Sequence, residues 1–417
     1  MKVIIFEDNK FKNLFPLNML RASFDIKCGA VSIKERIINI LSGRYDVSLI
    51  CRNSIAAMMS EINELRINEI SKDDILFLNG RVIFSQESLE KIISEKKKNT
   101  ANYFKEEVVS AYLTKDKIKE FKSYFERSFS EGINFEEFFK RAEVSKIDFN
   151  KNEDIFILKY PWDAVKYLLQ GGLTTDLEIY LNSKKKLKPT KRQDNFVNHK
   201  GIYVSSKTLL NPGSILDASE GKIVIEENCV IEPFCFIKGP VFIGKNTLVK
   251  SGTKIYGPCS IGKNSKVAGE IAESIFHSYV NKQHDGFIGH SYICPFVNLG
   301  ADTVTSDLKN NYSKIRINIG DQETETGMQF LGSIIGDHTK TSINTMLNTG
   351  TIAGIFANIF GGGFPSKSID SFTWNDGSSK PVPYILEKAV KTAVTVMSRR
   401  GIKLSKNYEE LMMLYSK

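Results

Sequence analysis

Cysteine, histidine and tryptophan are scarce in this chain, and their scarcity excludes several chemistries. Among 417 residues there are six Cys, five His and two Trp. The cysteines stand at 28, 51, 229, 235, 259 and 294. None forms a CxxC, and none has a His partner at zinc-finger spacing, so neither a disulfide framework nor a structural zinc is expected. Buried free thiols in a reducing compartment fit better, which points to the cytoplasm. No apolar run approaches the ~18 residues that a membrane span needs. The opening MKVIIFED is a short apolar run meeting acidic residues, which is not the pattern of a signal peptide. Charge of one sign is also modest: 57 Lys and Arg against 48 Asp and Glu leave a net +9. The lysines are interleaved with acids, as on solvated helix faces. No clustered basic face with interleaved aromatics stands out, so no nucleic-acid partner is expected.

What is present divides into two halves. Residues 3–6, 47–51 and 74–78 are short apolar runs. They alternate with helical spacing over 33–41 and 55–64. Short strands alternating with helices predict a parallel α/β sheet. Residues 87–150 are rich in Lys, Glu and Phe, with helical spacing through Phe121, Tyr124, Phe125, Phe129, Phe138 and Phe139. They predict a helical insertion whose aromatics are core. The α/β pattern resumes at 155–158, followed by Tyr160, Pro161, Trp162 and Asp163 and a helix over 164–170. Residues 183–200 begin with a basic, Pro-containing, apolar-poor run and read as a linker between domain 1–182 and domain 201–375.

Past that linker the chain acquires a period of six. Ile225, Ile231, Ile237, Ile243, Val249, Ile255, Ile261 and Val267 follow one another without a gap. This period is neither helical nor that of an alternating strand. It fits a coil with three flat faces, six residues per face and 18 per turn. One aliphatic side chain per face points into a narrow prism, with Gly and Asn turning the corners in left-handed backbone conformations. Stacked coils share backbone hydrogen bonds and one buried ladder. The expected fold is therefore a Rossmann-like α/β domain, a left-handed parallel β-helix and, from 376 to 417, a helical tail. The period breaks at Glu273, resumes across Ile293 and Leu299, and returns loosely over 335–359. Residues 271–287 are expected to form a loop leaving the prism.

That stretch and its flank hold three of the five histidines: His277, His284 and His290. Imidazole is the side chain best suited to take a proton near neutral pH. Acyl transfer to an amine needs such a base, and Asp285 stands beside His284. A metal site from His284, His290 and Asp302 is the rival, although its spacing matches no common ligand pattern.

Residues 281–287 (NKQHDGF), 298–312 (NLGADTVTSDLKNNY), 335–351 (IGDHTKTSINTMLNTGT) and 358–365 (NIFGGGFP) carry a family resemblance. The N-terminal half adds Leu14 to Leu17, Arg21, Asp25, Gly29, Ile33 to Arg36, Phe77 to Arg81 and Tyr160 to Asp163. Together they resemble the bifunctional N-acetylglucosamine-1-phosphate uridylyltransferase/glucosamine-1-phosphate N-acetyltransferase family, in an alternative branch with an atypical nucleotidyltransferase domain. The resemblance implies acetyl transfer from acetyl-CoA with His284 as base. It places Asn298 near the acceptor sugar, with Lys282 and Asp285 beside it, and the Ala301 backbone at the thioester. It also implies nucleotidyl transfer with a nucleoside triphosphate and Mg²⁺, a sugar phosphate substrate and a homotrimer.

Phe287 replaces a family Tyr, and Asp307 with Leu308 replaces an Asn-Tyr pair, so the acceptor is open. In the first domain Arg21, Asp25, Asn79 and Arg81 are the candidates for substrate binding. No Gly-rich loop follows the first strand, and Asn79 takes the place of the family's metal-binding Asp. The sequence names no metal ligand. An apolar face of Leu386, Val390, Ala393, Val394 and Met397 predicts a helix in the tail. Arg399 and Arg400 at its end either complement the helix dipole or meet the CoA phosphates. Two further readings stay open: an acyltransferase with a degenerate nucleotide domain, and a non-enzymatic trimeric scaffold or sugar-nucleotide sensor.

Overall fold

The structure is a computed structural model that describes residues 2–128, 133–141, 144–148, 154–184, 187–191, 193–319, 322–377 and 380–417. Phe129 of the aromatic series, and Lys185, Lys186 and Arg192 of the expected linker, lie outside the described residues. The chain forms two compact units. One holds residues 1–26 and 31–160, the other residues 27–30 and 161–417. The division thus falls at Tyr160, ahead of the basic segment, and the helices that follow it group with the second unit.

In the first unit, β1 (Lys2–Phe6) lies between β2 (Asp46–Ile50) and β3 (Ile75–Asn79), all parallel. β1 is buried almost throughout, as a central strand covered on both faces must be. Helix α1 (Ile33–Leu41) starts at a capping box: the Ser32 hydroxyl accepts from Glu35 N–H, and the Glu35 carboxylate accepts from Ser32 N–H. Two orphan donors of the first turn are thereby satisfied. After α2 (Asn53–Ile62), a short pair forms between β4 (Val82–Phe84) and the later β8 (Ile155–Ile157).

Residues 87–150, expected to be a helical insertion, also complete the sheet. α3 (Gln86–Ser94) is followed by β5 (Thr100–Phe104) and β6 (Glu107–Leu113), and β7 (Ser145–Asp148) comes later, giving the order β2-β1-β3-β6-β5-β7. β6 runs antiparallel to β3 and β5, so the sheet is mixed rather than all parallel. Val, Tyr and Phe in these runs suit a pleated surface, a signal that the many Lys and Glu around them masked. The aromatics of α4 (Lys115–Ser128) and α5 (Phe135–Arg141) are core. Phe121 stacks on Phe135 with centroids 5.3 Å apart, and both join Phe6, Phe77, Phe138 and Phe139.

The second unit opens with α6 (Asp163–Tyr167) and α7 (Leu173–Ser183). Tyr180 meets Phe242 of the solenoid edge to face at 5.3 Å. Residues 27–30 lie on the same face: Ser260 Oγ donates to Gly29 O at 2.6 Å, and Tyr292 Oη accepts from Lys27 N–H at 3.2 Å. A Cβ on Gly29 would stand 2.2 Å from Asp176 Oδ2, so only glycine fits there.

The expected left-handed parallel β-helix follows, with about 10 turns. Ile225 pairs with Ile243 and Ile243 with Ile261, eighteen residues on each time. Ile231, Val249 and Val267 repeat this on the second face, and Ile237 and Ile255 on the third. All eight are fully buried. At about 1.5–3 kcal/mol for each buried aliphatic side chain, the ladder is the main driving force of this unit.

Residues 271–287 do not leave the prism. They form shortened coils: Ile255 pairs with Ile271, Ile261 with Phe276, Val267 with Lys282 and Ile271 with Ile288. The hexad count fails there because residues are deleted at the corners while the faces stay in register. The excursion lies further on. Ile293 pairs directly with Ile335 and Val304 with Met346, so the residues between Ser306 and Ser333 are extra to the coil. They include an antiparallel hairpin of Arg316–Ile319 with Gln322–Glu325.

Asn turns one corner column only at first. Asn228, Asn246 and Asn264 are left-handed, and so are Tyr279, Phe296, His338, Phe356 and Phe372 in the coils that follow. Left-handed backbone costs a bulky residue roughly 1–2 kcal/mol. Here the rings stack on one another at 4.5–5.0 Å, close to the spacing of paired strands at about 4.8 Å. Stacking at the coil repeat offsets the strain. The tail is two helices, α8 (Leu386–Ser398) and α9 (Lys406–Tyr415). Ala389, Ala393 and Met397 are the buried positions of α8, whereas Val394, expected on the same face, is exposed. All six cysteines are buried free thiols, and no helix among the described residues is long and apolar enough to cross a membrane.

Candidate functional site

The shortened coils build one corner of unusual chemistry. Lys282 occupies the inward position that Val267 holds one coil earlier, and it is fully buried. Its Nζ turns back to the corner and donates to His284 O at 2.5 Å and Asp285 O at 2.8 Å. Burial pushes its ammonium down to about 8, with Asp285 and Asp302 acting the other way. The lysine thus fixes the backbone that carries His284. The imidazole itself is exposed, as is Asp285.

One coil on, Asp302 N–H donates to Asp285 O at 3.0 Å, and Asn344 N–H donates to Ala301 O at 2.8 Å. His284, Ala301 and Ile343 therefore occupy one column of the corner. Gly300 N–H donates to Thr341 Oγ1 at 3.0 Å, whereas Ala301 N–H meets no acceptor among the described residues. An exposed base and a free amide donor in adjacent coils can deprotonate a nucleophile and hold a developing oxyanion.

Asn298 lies on the adjoining face, three residues before Ala301. Its Oδ1 accepts from Asn281 Nδ2 at 2.6 Å. Arg400, in the turn after α8, reaches Asn281 Oδ1 at 3.5 Å. The tail thus brings Arg400 to the Asn298 face, while Arg399 is exposed beside it.

His290 does not join His284. Its Nδ1 bonds Asp307 Oδ2 at 2.8 Å and its Nε2 bonds Glu273 Oε2 at 2.7 Å. Burial alone would lower its pKa, but the two carboxylates carry it up to about 9. Phe330 stacks on the ring at 5.0 Å. The metal reading of His284, His290 and Asp302 therefore fails: both His290 nitrogens are committed to carboxylates, and among the described residues no group of three or more His, Cys, Asp or Glu side chains is arranged to hold a metal ion. The grouping of Glu273, His290 and Asp307 was missed in the sequence. Its signal is the spacing of seventeen residues, the length of the coil there.

In the first unit, the candidate residues gather at the carboxyl ends of β1 and β3. Arg81 is 1% exposed. Its Nε bonds Asp8 Oδ1 at 2.8 Å, its other nitrogens meet Asp8 Oδ2 at 2.5 Å and Glu107 Oε2 at 2.8 Å, and one donates to Leu158 O at 2.7 Å. Asn79 Nδ2 donates to Asp8 Oδ2 at 3.0 Å and to Val108 O at 2.8 Å. Burial would raise the Glu107 carboxyl, but Arg81 and Lys10 hold it below its usual range. Beside this network, Arg52 pairs with Glu7 at 2.7 Å, both almost wholly buried. Asp25 pairs with Lys34 at 2.6 Å, and burial still raises its carboxyl. Arg21 donates to Leu17 O. The residues at this edge do not fit Mg²⁺. Asp8 and Glu107 are already neutralised by Arg81 and Lys10, and a neutral amide stands at Asn79.

Residues 3–198 match the family described as sugar nucleotidyl transferase. A bifunctional sugar-1-phosphate nucleotidylyltransferase/acetyltransferase of Sulfurisphaera tokodaii is 28% identical over 152 residues. That alignment covers 36% of this chain and 38% of the relative, so the chain spans under two fifths of the curated protein it matches. Among solved structures, a UDP-N-acetylglucosamine acyltransferase from Bacteroides fragilis aligns with 51% of this chain and 96% of its own, at 13% identity and a TM-score of 0.29. An Arabidopsis UDP-N-acetylglucosamine acyltransferase aligns with 51% of this chain and 88% of its own, at 10% identity and a TM-score of 0.22.

Proposed function

We propose that this chain is a transferase of sugar-nucleotide biosynthesis. The solenoid moves an acetyl group from acetyl-CoA to the amine of an amino sugar phosphate. The N-terminal unit transfers a nucleotidyl group to a sugar 1-phosphate, in a UDP-N-acetylglucosamine-type route. The family match over residues 3–198 supports the second activity. The observation that carries the first is the corner where exposed His284, anchored through Lys282, stands one coil from the free Ala301 N–H.

In this reading the acceptor nitrogen attacks the thioester carbonyl. The C–N bond forms, the C–S bond breaks, and the amine proton passes to His284 and on to the leaving thiolate. Ala301 N–H stabilises the carbonyl oxygen as charge develops on it. Asn298 orients the acceptor, Asp285 borders it, and Arg399 and Arg400 meet the phosphates of CoA. Arg21, Asp25, Asn79 and Arg81 shape the sugar nucleotide site, the last two by holding Asp8 and Glu107. The working form is a cytoplasmic homotrimer with the corners facing one another.

The test is a pair of assays on the purified chain. Acetyl-CoA with glucosamine 1-phosphate should release free thiol, read with a thiol reagent. UTP with N-acetylglucosamine 1-phosphate and Mg²⁺ should release pyrophosphate. His284→Ala should lower thiol release about 10²–10⁴-fold, the usual weight of a general base, and leave pyrophosphate release intact. Thiol release that survived the change would remove His284 from the mechanism.

A second reading has its own observation. The internal pairing of Asp8, Asn79, Glu107 and Arg81 favours an N-terminal unit that binds a nucleotide sugar without transferring to it. Thiol release without pyrophosphate, across UTP and the other nucleoside triphosphates, would select that reading.

A further inference from the structure

The second face of the solenoid carries an outward strip whose charges are unbalanced. Asn281, Asn298, Lys340 and Asn358 stand on successive rungs. Lys340 Nζ donates to His338 O at 2.7 Å and has no carboxylate partner among the described residues. Burial pushes its ammonium down to about 8, with no acid acting against it. Arg400, which reaches this strip at Asn281, is likewise lowered by burial and then by Arg399 beside it. Asn358 Nδ2 is buried and meets no acceptor among the described residues.

Lys282 is the contrast. It has two carbonyl acceptors and two carboxylates nearby, so its charge is answered within the fold. On the strip, two half-buried cations from separate elements stand without an acid among the described residues, and the Asn358 amide donor is buried there unfilled. A desolvated cation without a counter-charge is unfavourable, and an anion seated on the strip would supply one.

We propose that this strip binds a phosphate group of a small-molecule substrate. Lys340 and Arg400 supply the charge, and the half-buried Asn298 amide on the rung beside Lys340 supplies a neutral donor. A phosphate suits the arrangement because its several acceptor oxygens can engage donors arriving from different directions. The identity of the carrier rests on the acetyl-transfer reading: the phosphate belongs either to CoA or to the acceptor sugar.

Calorimetric titration of the full chain separates these sources. The probes are CoA, dephospho-CoA, glucosamine 1-phosphate and inorganic phosphate. The proteins are the wild type, Lys340→Met, Lys340→Arg and Arg400→Met. Lys340→Met should weaken at least one phosphorylated probe about tenfold or more, the weight of one charge-assisted hydrogen bond, and Lys340→Arg should restore most of it. A loss confined to CoA, with dephospho-CoA unaffected, assigns the strip to the 3′-phosphate of CoA. A loss on glucosamine 1-phosphate assigns it to the acceptor. Lys340-dependent binding of inorganic phosphate, without binding of CoA or the sugar phosphate, keeps the strip and removes the acetyl-transfer reading. Unchanged affinity for all four probes in both Met variants overturns the proposal. Thermal melting guards the comparison: Lys340→Met should melt no lower than the wild type, because it removes an unpaired ammonium and keeps the apolar stem.

Discussion

A lysine inside an aliphatic prism is the most informative single residue of this chain. Lys282 takes a ladder position where its predecessors are Ile231, Val249 and Val267. A fully buried ammonium is tolerated only where hydrogen bonds answer it, and here the carbonyls of His284 and Asp285 do so. Its task is then positional rather than cohesive. Lys282→Met keeps the volume, removes the desolvated charge and frees the His284 turn. The expected outcome is a melting temperature equal to or above the wild type together with a thiol-release kcat about tenfold lower, since small misplacements of a base are costly. A variant that lost stability and kept kcat would show that Lys282 acts through the core alone. The sequence displayed Lys282 next to His284, but its inward direction could not be read. In the hexad count the ladder residue before it is Val267 and the next expected one is Glu273. Only the register reveals that Ile271 took that place.

At the scale of elements, the excursion between Ser306 and Ser333 is tied to the prism by His290. The ring bridges Asp307 at the start of the excursion and Glu273 of the preceding coil, and Phe330 closes over it. The folded pKa of about 9 lies above the ordinary value near 6.5. This linkage is therefore fully present below about pH 6.5 and is lost as pH rises toward 9. Lys282, with its folded value near 8, acts in the opposite sense above that pH. The diagnostic quantity is thus a difference. The stability gap between wild type and His290→Gln, measured by urea unfolding, should shrink between pH 6.5 and 9.5. A gap independent of pH would mean that the histidine holds the excursion by shape alone. The excursion was legible in the sequence only as a loosening of the period between Leu299 and Ile335. The 271–287 break looked more conspicuous because deletions at corners disturb a count of six more visibly than an insertion after a full coil. The tail helix was foreseen from its apolar spacing. Val394 fits that apolar spacing yet is exposed, because the helix packs through Ala389, Ala393 and Met397.

For the whole molecule, the prism leaves large apolar side chains in water. Ile343 is 69% exposed, in the same corner column as His284 and Ala301, and Met346 nearby is 37% exposed. Isolated exposed apolar residues are ordinary, but this pair borders the proposed reaction corner. A symmetric trimer would cover it and place each His284 against a neighbouring chain. The expected solution mass by light scattering is three times the 47.0 kDa chain. Ile343→Glu should shift it toward the monomer and lower thiol release with it, while pyrophosphate release by the N-terminal unit persists. A trimer that kept full activity with glutamate at 343 would place the interface elsewhere.

The sequence by itself determined the elements whose physics is local and periodic. Eight aliphatic residues six apart dictate a three-sided coil because each face can bury only its own inward side chain, and Asn228, Asn246 and Asn264 turn a corner because they accept left-handed backbone. The apolar runs of β1, β2 and β3 declare a parallel core for a similar reason. The motif around His284, Asn298 and Ala301 singled out the corner before any geometry was known. Tertiary structure decided everything that depends on which coil lies above which. It chose the coil lengths, and so set Glu273, His290 and Asp307 in one bonded row. It set aromatic rings into a column where stacking offsets their strain. It folded the tail back so that Arg400 meets the Asn281 and Asn298 strip, and it bound Asp8, Asn79, Glu107 and Arg81 to one another. These partners are remote in sequence, and a period carries no record of the distance at which a charge finds its counterpart.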